Sequence, residues 1–208
     1  HLENTDPYDV VIVGDDAALQ FAMEYREELF PEIPVVFEGV NDEEYAMKAA
    51  ENPLVTGIIE KLSVEKNIDM ALKVNPTADK VVAILDDSVT ADAERKNFYN
   101  SAENYPELEF SEINAAELET ARLQQAISKV DDKTILIYIV MSKDGSGKQY
   151  TSDQAVRMVV NYSKVPVYRM VEAGIGDGLL GGNVVSMYKS GEIAAQMAMD
   201  IANGTDSA

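Results

Sequence analysis

The chain has 208 residues, of which 46% are hydrophobic and 26% are charged, a balance typical of a folded globular protein. Its 37 acidic and 17 basic residues give a formal net charge of −20 at pH 7, which repels nucleic acid and anionic membranes. We expect the acidic surface either to keep the protein in solution or to attract a cationic ligand. The absence of cysteine excludes disulfides, zinc–thiolate sites, iron–sulfur ligation and thiol nucleophiles.

The segment from Tyr8 to Asp42 predicts one strand–helix–strand unit. The apolar runs Val10 to Val13 and Val35 to Phe37 are its strands. Between them, apolar residues recur at helical spacing on one face: Ala18, Ala22, Tyr25 and Leu29. Polar residues follow both strands: Asp15 and Asp16 after the first, Asn41 and Asp42 after the second. Open α/β sheets bind ligands at the carboxyl ends of their strands, so we expect a binding site there.

Strands and helices alternate along the rest of the chain. Further strands are predicted at 55–60, 80–85, 108–113, 134–140, 166–171 and 179–186. Helices are predicted at 63–74, at 91–102, after a capping box of Asn114 and Glu117, after a second capping box of Thr151 and Gln154, and from Met187 to Asn203. The stretch 42–52 is polar and rich in Glu, without an assigned element. Strict alternation predicts an α/β fold with doubly wound parallel sheets, and the apolar run 134–140 predicts a central, fully buried strand.

Two glycine-rich motifs resemble phosphate-binding loops but lack the required context. Gly176, Gly178 and Gly181 have the G-x-G-x-x-G spacing, yet the residues after them predict a strand instead of the helix that a dinucleotide site needs. The DGSGK run at 144–148 lacks the further glycine and the hydroxyl residue of a phosphate loop. We interpret the first motif as a flexible loop or hinge and the second as a polar turn.

No catalytic constellation is evident in the sequence. Its single histidine is His1, so no Ser-His-Asp arrangement can form in the rest of the chain. The Asp131–Asp132 pair precedes a strand and predicts a turn, whereas the pairs at 15–16 and 86–87 follow strands, where they cap helices or face a ligand. Side chains near the carboxyl end of the strongest strand are candidates for ligand contact: Tyr138, Met141 and Tyr150. An enzyme is not expected, and a metal-dependent carboxylate site is the one remaining route to one.

Several blocks of the chain resemble a known family over nearly its whole length. The blocks are YDVVIVGDDAAL, FPEIPVVFEGVND, VTGIIE, NPTADKVVAILDD, ILIYIVMSKDGSG and VPVYRMVEAGIGDGLLGGNVVSMYKSGEIAAQMAMDIANGT. Together they resemble the extracytoplasmic ligand-binding domain of bacterial sensor histidine kinases, which is related to a family of ABC-transporter substrate-binding proteins. The resemblance is specific to the family and does not indicate a ligand.

The resemblance implies a type I periplasmic-binding-protein fold, in which two α/β lobes joined by a hinge close over a solute. The first lobe would comprise residues 1–60 and 187–208, and the second 61–186. The hinge would include Thr56, Gly57, Glu60 and Asn183. The expected ligand-binding residues all lie on or after strands: Asp15, Asp16, Asn41, Asp42, Asp86, Asp87, Tyr138, Ser142, Asp144 and Glu172, with the cleft wall continuing to Gly176. We expect Asp16→Ala or Asn41→Ala to weaken binding and leave the fold intact.

The first lobe is expected to be incomplete. Related lobes usually begin with a further strand–helix–strand segment and another helix, and HLENTDP resembles only the tail of that helix. The segment that usually closes the fold after Gly204 has no counterpart either. The sequence contains no signal peptide, and its abrupt start leaves open that one has been removed.

Two functions follow from the resemblance. One is a non-catalytic, membrane-tethered sensor domain that binds a solute outside the cytoplasm and passes the signal to a kinase module; the other is the solute receptor of an ABC transporter. The sequence favours the sensor by the form of its FEGVND and YREELFP segments. The expected partner is a small solute of undetermined class, and the candidate residues suit hydroxyl-rich or amine-bearing solutes because they are mostly hydrogen-bond acceptors. No cofactor and no metal are expected, and a homodimer is left open.

Overall fold

The computed structural model describes residues 8–204, so His1 and the HLENTDP segment lie outside the described residues. The chain divides into two compact units. Unit 1 contains the described residues up to Lys61 and those from Ser186 onward, and unit 2 runs from Leu62 to Val185. The two lobes implied by the resemblance, residues 1–60 with 187–208 and residues 61–186, remain a prediction.

Strands and helices alternate through both units. In chain order the elements are β1 (Val11–Gly14), α1 (Asp16–Glu24), α2 (Arg26–Leu29), β2 (Val35–Val40), α3 (Glu43–Ala49), β3 (Val55–Ile59), α4 (Val64–Val74), β4 (Lys80–Leu85), α5 (Val89–Ser101), β5 (Glu109–Asn114), α6 (Thr120–Ser128), β6 (Thr134–Tyr138), α7 (Ser152–Tyr162), β7 (Val167–Arg169) and α8 (Met187–Ala202). Short 3₁₀ helices cover Ala102–Asn104 and Ala115–Glu117. The predicted α/β fold with parallel sheets is confirmed.

Unit 1 is built on a parallel sheet with the order β1-β2-β3, against which α8 packs. Its core consists of Leu19, Val35, Phe37, Val40, Ala46 and Val55. The single helix predicted after β1 is wrong in two respects. It breaks at Tyr25 into α1 and α2, and its buried residues are Asp16, Leu19, Ala22 and Arg26. Of the predicted face only Ala22 is buried, whereas Ala18 and Leu29 are partly exposed and Tyr25 is exposed.

Unit 2 is built on a parallel sheet with the order β5-β4-β6-β7. All five residues of β6 are buried, which confirms the prediction of a central strand. Alternate residues of β4 point to opposite faces, and each face has its own apolar cluster. Val81, Ala83 and Leu85 belong to one cluster and Ile84 to the other.

Three local predictions in unit 2 had different outcomes. The capping box of Thr151 and Gln154 is present at the start of α7. The predicted box of Asn114 and Glu117 is wrong, because Asn114 caps the 3₁₀ helix and α6 begins only after Glu119. The predicted strand at 179–186 is also wrong. Only isolated bridges form there, Leu180 with Tyr168 and Val185 with Val171, because two close glycines interrupt the run of apolar side chains.

The unassigned stretch 42–52 contains the short helix α3, which Asp42 caps by accepting the backbone N–H of Tyr45 at 3.0 Å. Ala46 is its one buried residue, so the helix shows almost no apolar periodicity in the sequence. Among residues 8–204, no helix is long and apolar enough to span a membrane.

Candidate functional site

The carboxyl end of the unit 1 sheet, which we call the unit 1 edge, brings together four of the predicted ligand-binding residues. Asp15 and Asp16 follow β1, and Asn41 and Asp42 follow β2. Asp15 has φ 79° and ψ 160°, a backbone conformation that is costly for any residue with a Cβ atom. Its side chain accepts the backbone N–H of Asp16 at 2.7 Å and caps α1, and the residue is exposed to solvent.

Asp16 is buried, with only 1% of its surface exposed. Its Oδ1 atom accepts the backbone N–H groups of Asn41 at 3.0 Å and Asp42 at 2.9 Å. The carboxylate thus joins the ends of β1 and β2 inside unit 1. Asp16 therefore lies at the predicted edge, but its Oδ1 atom is occupied by hydrogen bonds within unit 1.

Two further carboxylates lie at this edge: Glu38, which was not predicted from the sequence, and Glu60, which was predicted only as a hinge residue. Glu38 lies near the end of β2 and accepts the Ser190 hydroxyl of α8 at 2.8 Å. Glu60 is almost fully buried after β3, and the Asn41 side-chain amide donates to its backbone carbonyl at 3.2 Å and to its Oε1 atom at 3.4 Å. The polar residue after each strand was the signal that could have included Glu60 among the candidates.

The unit 2 edge, at the carboxyl ends of β4 and β6, is organised around Asp86. This side chain is fully buried and accepts the Ser88 N–H at 3.0 Å, the Ser142 N–H at 2.7 Å and the Ser142 hydroxyl. Burial by itself would raise the pKa of the Asp86 carboxyl, but the hydrogen bonds from Ser142 and Ser88 lower the pKa below its usual value. Asp86 therefore stays ionised and fixes the segment after β6 to the segment after β4.

Of the ligand-binding residues predicted in this part of the unit 2 edge, Asp87 and Ser142 are exposed. The Asp87 carboxylate pairs with Lys143 at 3.1 Å, and about half of each side chain remains exposed at 53% and 49%. An ion pair this open to solvent is weak, so a ligand can compete for either partner. Lys143 was not among the predicted site residues.

Asp144 is the centre of its own loop and not a free ligand group. It is 2% exposed and accepts hydrogen bonds from the backbone N–H groups of Ser146 and Lys148 and from three hydroxyls, those of Ser146, Thr120 and Tyr150. Burial would raise the pKa of the Asp144 carboxyl, but these hydrogen bonds lower it far below its usual range. The DGSGK run is a turn closed on this carboxylate, in agreement with the interpretation of a polar turn.

The remaining candidates lie near the ends of β6 and β7. Tyr138 is buried, and the Arg169 guanidinium lies 4.5 Å from the centre of its ring and donates to its backbone carbonyl at 3.1 Å. Burial raises the pKa of the Tyr138 phenol. Glu172 is exposed after β7, at the start of a loop in which Gly174, Gly176 and Gly178 all have positive φ. The sequence missed Arg169, although it also ends a strand.

Each predicted hinge residue makes a backbone hydrogen bond or a sheet pairing within its own unit. Thr56 and Gly57 pair with Val36 and Phe37 in the sheet, and the Glu60 N–H donates to Val40 at 2.8 Å. The backbone carbonyl of Asn183 accepts a hydrogen bond from Asn67 at 2.9 Å. Their role in a hinge remains a prediction.

Both edges are rich in hydrogen-bond acceptors and have no acid–base arrangement. Within the described part of the chain, no group of three or more His, Asp and Glu residues is placed to hold a metal ion. The exposed groups of the candidate set are Asp15, Asp87, Ser142 and Glu172, with Asn41 and Asp42 partly exposed. Such groups can bind a cation or a hydroxyl donor.

An open apolar groove of about 420 Å³ lies elsewhere on unit 1, beside β1 and α1. Its walls include Val11, Val13, Phe21 and Phe30. None of the predicted ligand-binding residues lines it, so it is separate from the candidate site.

The sequence matches a family described as ABC transporter substrate binding protein over residues 4–208. The chain belongs to this family. A curated relative, the tyrosine-binding protein of Clostridioides difficile (strain R20291), is 24% identical over 178 residues, which cover 83% of this chain and 50% of the relative. The chain thus spans about half the length of that relative.

Two solved structures show the same fold. An ABC domain from Streptococcus pneumonia, determined in complex with L-Trp, has a TM-score of 0.72 and 15% identity, covering 98% of this chain and 68% of that one. A conserved domain protein from Vibrio cholerae has a TM-score of 0.69 and 16% identity, covering 97% of this chain and 66% of that one. The fold is therefore that of periplasmic solute-binding proteins, as the resemblance implied.

Proposed function

We propose that the protein is a solute-binding protein whose solute is an amino acid with an aromatic side chain. The observation that carries this proposal is the family match across residues 4–208. Two relatives support the choice of solute, because one is named a tyrosine-binding protein and the other was solved with L-Trp. No catalytic step is proposed, since the family binds solutes and the candidate residues form no acid–base pair.

The exposed carboxylates suit the α-ammonium group of such a solute. Asp15 and Asp42 in unit 1 and Asp87 in unit 2 carry negative charges at the carboxyl ends of strands. Hydrogen bonds between ionised groups are about twice as strong as those between neutral groups. We therefore propose Asp15 and Asp42 as the primary candidates at the unit 1 edge, with Asn41 in support, and separately Asp87 at the unit 2 edge, with Ser142 and Glu172 in support.

The biological context is proposed to be solute uptake outside the cytoplasm. The matching family is described as ABC transporter substrate binding protein, which favours the second function implied by the resemblance, the solute receptor of an ABC transporter. The sensor role, with its kinase module and membrane tether, remains a prediction from the resemblance. Sequencing of the DNA that flanks the coding region would distinguish the two functions. A kinase module in the same gene would support the sensor, and neighbouring transporter genes would support the receptor.

A thermal-shift panel tests the proposed solute class. The panel contains L-Tyr, L-Trp, L-Phe, L-Leu, L-Lys, glucose and adenosine. A solute present at 100 times its dissociation constant stabilises the protein by about 2.7 kcal/mol, which raises Tm by about 5–10 °C. The proposal predicts such a shift with one or more of the aromatic amino acids, and a shift with glucose or adenosine alone would contradict it.

An analogue tests the role of the ammonium group. The compound 3-(4-hydroxyphenyl)propionate has the ring and carboxylate of L-Tyr but lacks the ammonium, so it should bind about 10–100-fold more weakly. Asp15→Ala, Asp42→Ala and Asp87→Ala should remove that difference if they supply the partner. Asp200→Ala, at an exposed position near the end of α8, is the matched control and should leave both affinities unchanged.

A further inference from the structure

Asn67 is a fully buried polar residue in the first turns of α4. Its side-chain amide donates to the backbone carbonyl of Ser63 at 2.8 Å and to the backbone carbonyl of Asn183 at 2.9 Å. The second bond joins residues 116 positions apart in the chain. A buried amide with two good acceptors is a strong constraint on both segments that it contacts.

The other atom of this side chain faces Gly182. Among the described residues, the Asn67 Oδ1 atom has no conventional hydrogen-bond donor. A Cβ atom placed on Gly182 would lie 2.1 Å from that oxygen. In glycine a hydrogen atom occupies this direction, so a Cα–H group points at Oδ1 and makes a weak C–H···O contact. Asn67 thus contacts Ser63, Gly182 and Asn183 together.

The three contacts lie beside the two ends of unit 2. The chain passes from unit 1 into unit 2 after Lys61 and leaves unit 2 after Val185. Ser63 belongs to the segment that comes in, and Gly182 and Asn183 belong to the segment that goes out. The outgoing segment is also bonded to the residue just after β7, because the Val185 N–H donates to the Met170 carbonyl at 2.9 Å.

We infer that Asn67 is a positioning residue that fixes the incoming and outgoing segments of unit 2 to each other, so that they behave as one piece of structure. Gly182 is required in this arrangement because any larger residue would collide with Asn67 Oδ1. The inference concerns unit 2 alone and needs no bound solute, so it can fail independently of the proposed function.

Amide hydrogen exchange of the full chain tests the inference. Asn67→Ala should raise the exchange rates of Leu180 and Val185 about tenfold, while that of Ile139, bonded to Ile84 beside β6, stays within about twofold. Asn75→Ala is the matched control, since Asn75 also donates from the end of α4 to a carbonyl, that of Asp132. It should leave Leu180 and Val185 unchanged. Equal acceleration of all three amides, or of none, in Asn67→Ala would overturn the inference.

A double-mutant cycle tests the contact with Gly182. Gly182→Ala should accelerate exchange at Val185 about tenfold in the natural sequence, because the new methyl group displaces Asn67. In the Asn67→Ala background the oxygen is absent, and only the flexible end of Met70, whose Cε atom lies 2.6 Å from the new Cβ, has to move. The same change should then have less than about a threefold effect. Equal effects in the two backgrounds would show that Gly182 and Asn67 are not coupled, and would overturn the proposed role of Asn67 as a positioning residue.

Discussion

The Asp16 carboxylate accepts the backbone N–H of Asn41 at 3.0 Å, which ties the first residue of α1 to the residue after the end of β2. The same oxygen accepts the N–H of Asp42. The unit 1 edge is therefore held in shape from inside by a carboxylate that the sequence alone suggested as a ligand group.

Asp16→Ala should destabilise the protein, contrary to the expectation from sequence that it would leave the fold intact. The change leaves two backbone N–H groups without their acceptor, at a cost of about 2–4 kcal/mol. Urea unfolding measures this loss. Asp9→Ala, at an exposed position just before β1, is the control and should change the free energy of unfolding by less than about 0.5 kcal/mol. A stable Asp16→Ala protein would show that this link contributes little.

The stability of unit 2 should fall at acid pH because of Asp86 and Asp144. Both have a pKa lowered below that of an unfolded aspartate, so they stabilise the fold fully above the unfolded pKa of about 3.9. That stabilisation is lost as the pH falls through the folded values. Unfolding free energies measured from pH 7 to pH 3 should therefore decline less steeply in Asp144→Asn than in the natural sequence. Parallel pH profiles would contradict the assignment.

Alanine substitutions at Gly57 and Gly191 should have opposite effects. A Cβ atom on Gly57 would lie 2.1 Å from the Phe37 carbonyl oxygen, so Gly57→Ala should cost about 2–4 kcal/mol by forcing β2 and β3 apart. Nothing lies within 4 Å of a Cβ atom on Gly191, in the helix α8. Gly191→Ala should therefore stabilise the protein by about 0.5–1 kcal/mol. Equal Tm values for the two variants would contradict this reading of the sheet.

Asp87→Ala should leave stability almost unchanged and weaken solute binding. Its ion pair with Lys143 is half exposed and contributes about 0–1 kcal/mol. If Asp87 contacts the solute ammonium, its loss should weaken binding about 10–100-fold. Asp87→Asn, which keeps the shape but not the charge, should give an intermediate affinity. Affinity unchanged in both variants would remove Asp87 from the candidate site.

The sequence predicted the sheets well because buried parallel strands are continuous apolar runs bounded by polar residues. The run that became β6 is the clearest case, since all of its residues are buried. By contrast, the helix α3 was not predicted from the sequence, and the prediction of a strand at residues 179–186 was wrong. One buried residue gives no helical period in α3, and the segment at 179–186 has strand-like residues but only isolated bridges.

The position of the candidate residues in the fold was easier to predict than the state of their side chains. A carboxylate after a parallel strand lies at the sheet edge whatever its orientation, and this rule placed Asp15 and Asp86. Whether the side chain points outward depends on partners that are distant in sequence. Asp86 is buried because Ser142, 56 residues away, donates two hydrogen bonds to it. No local pattern contains that information.

The most direct test of the account is a calorimetric titration of the natural chain with L-Tyr and L-Trp, with L-Leu, L-Lys and glucose as comparison solutes. We expect saturable binding of at least one aromatic amino acid with a stoichiometry near one. Its dissociation constant should be at least about tenfold lower than that of any comparison solute. Binding of glucose or L-Lys in preference to both aromatic amino acids, or heats of dilution with all five solutes, would contradict it.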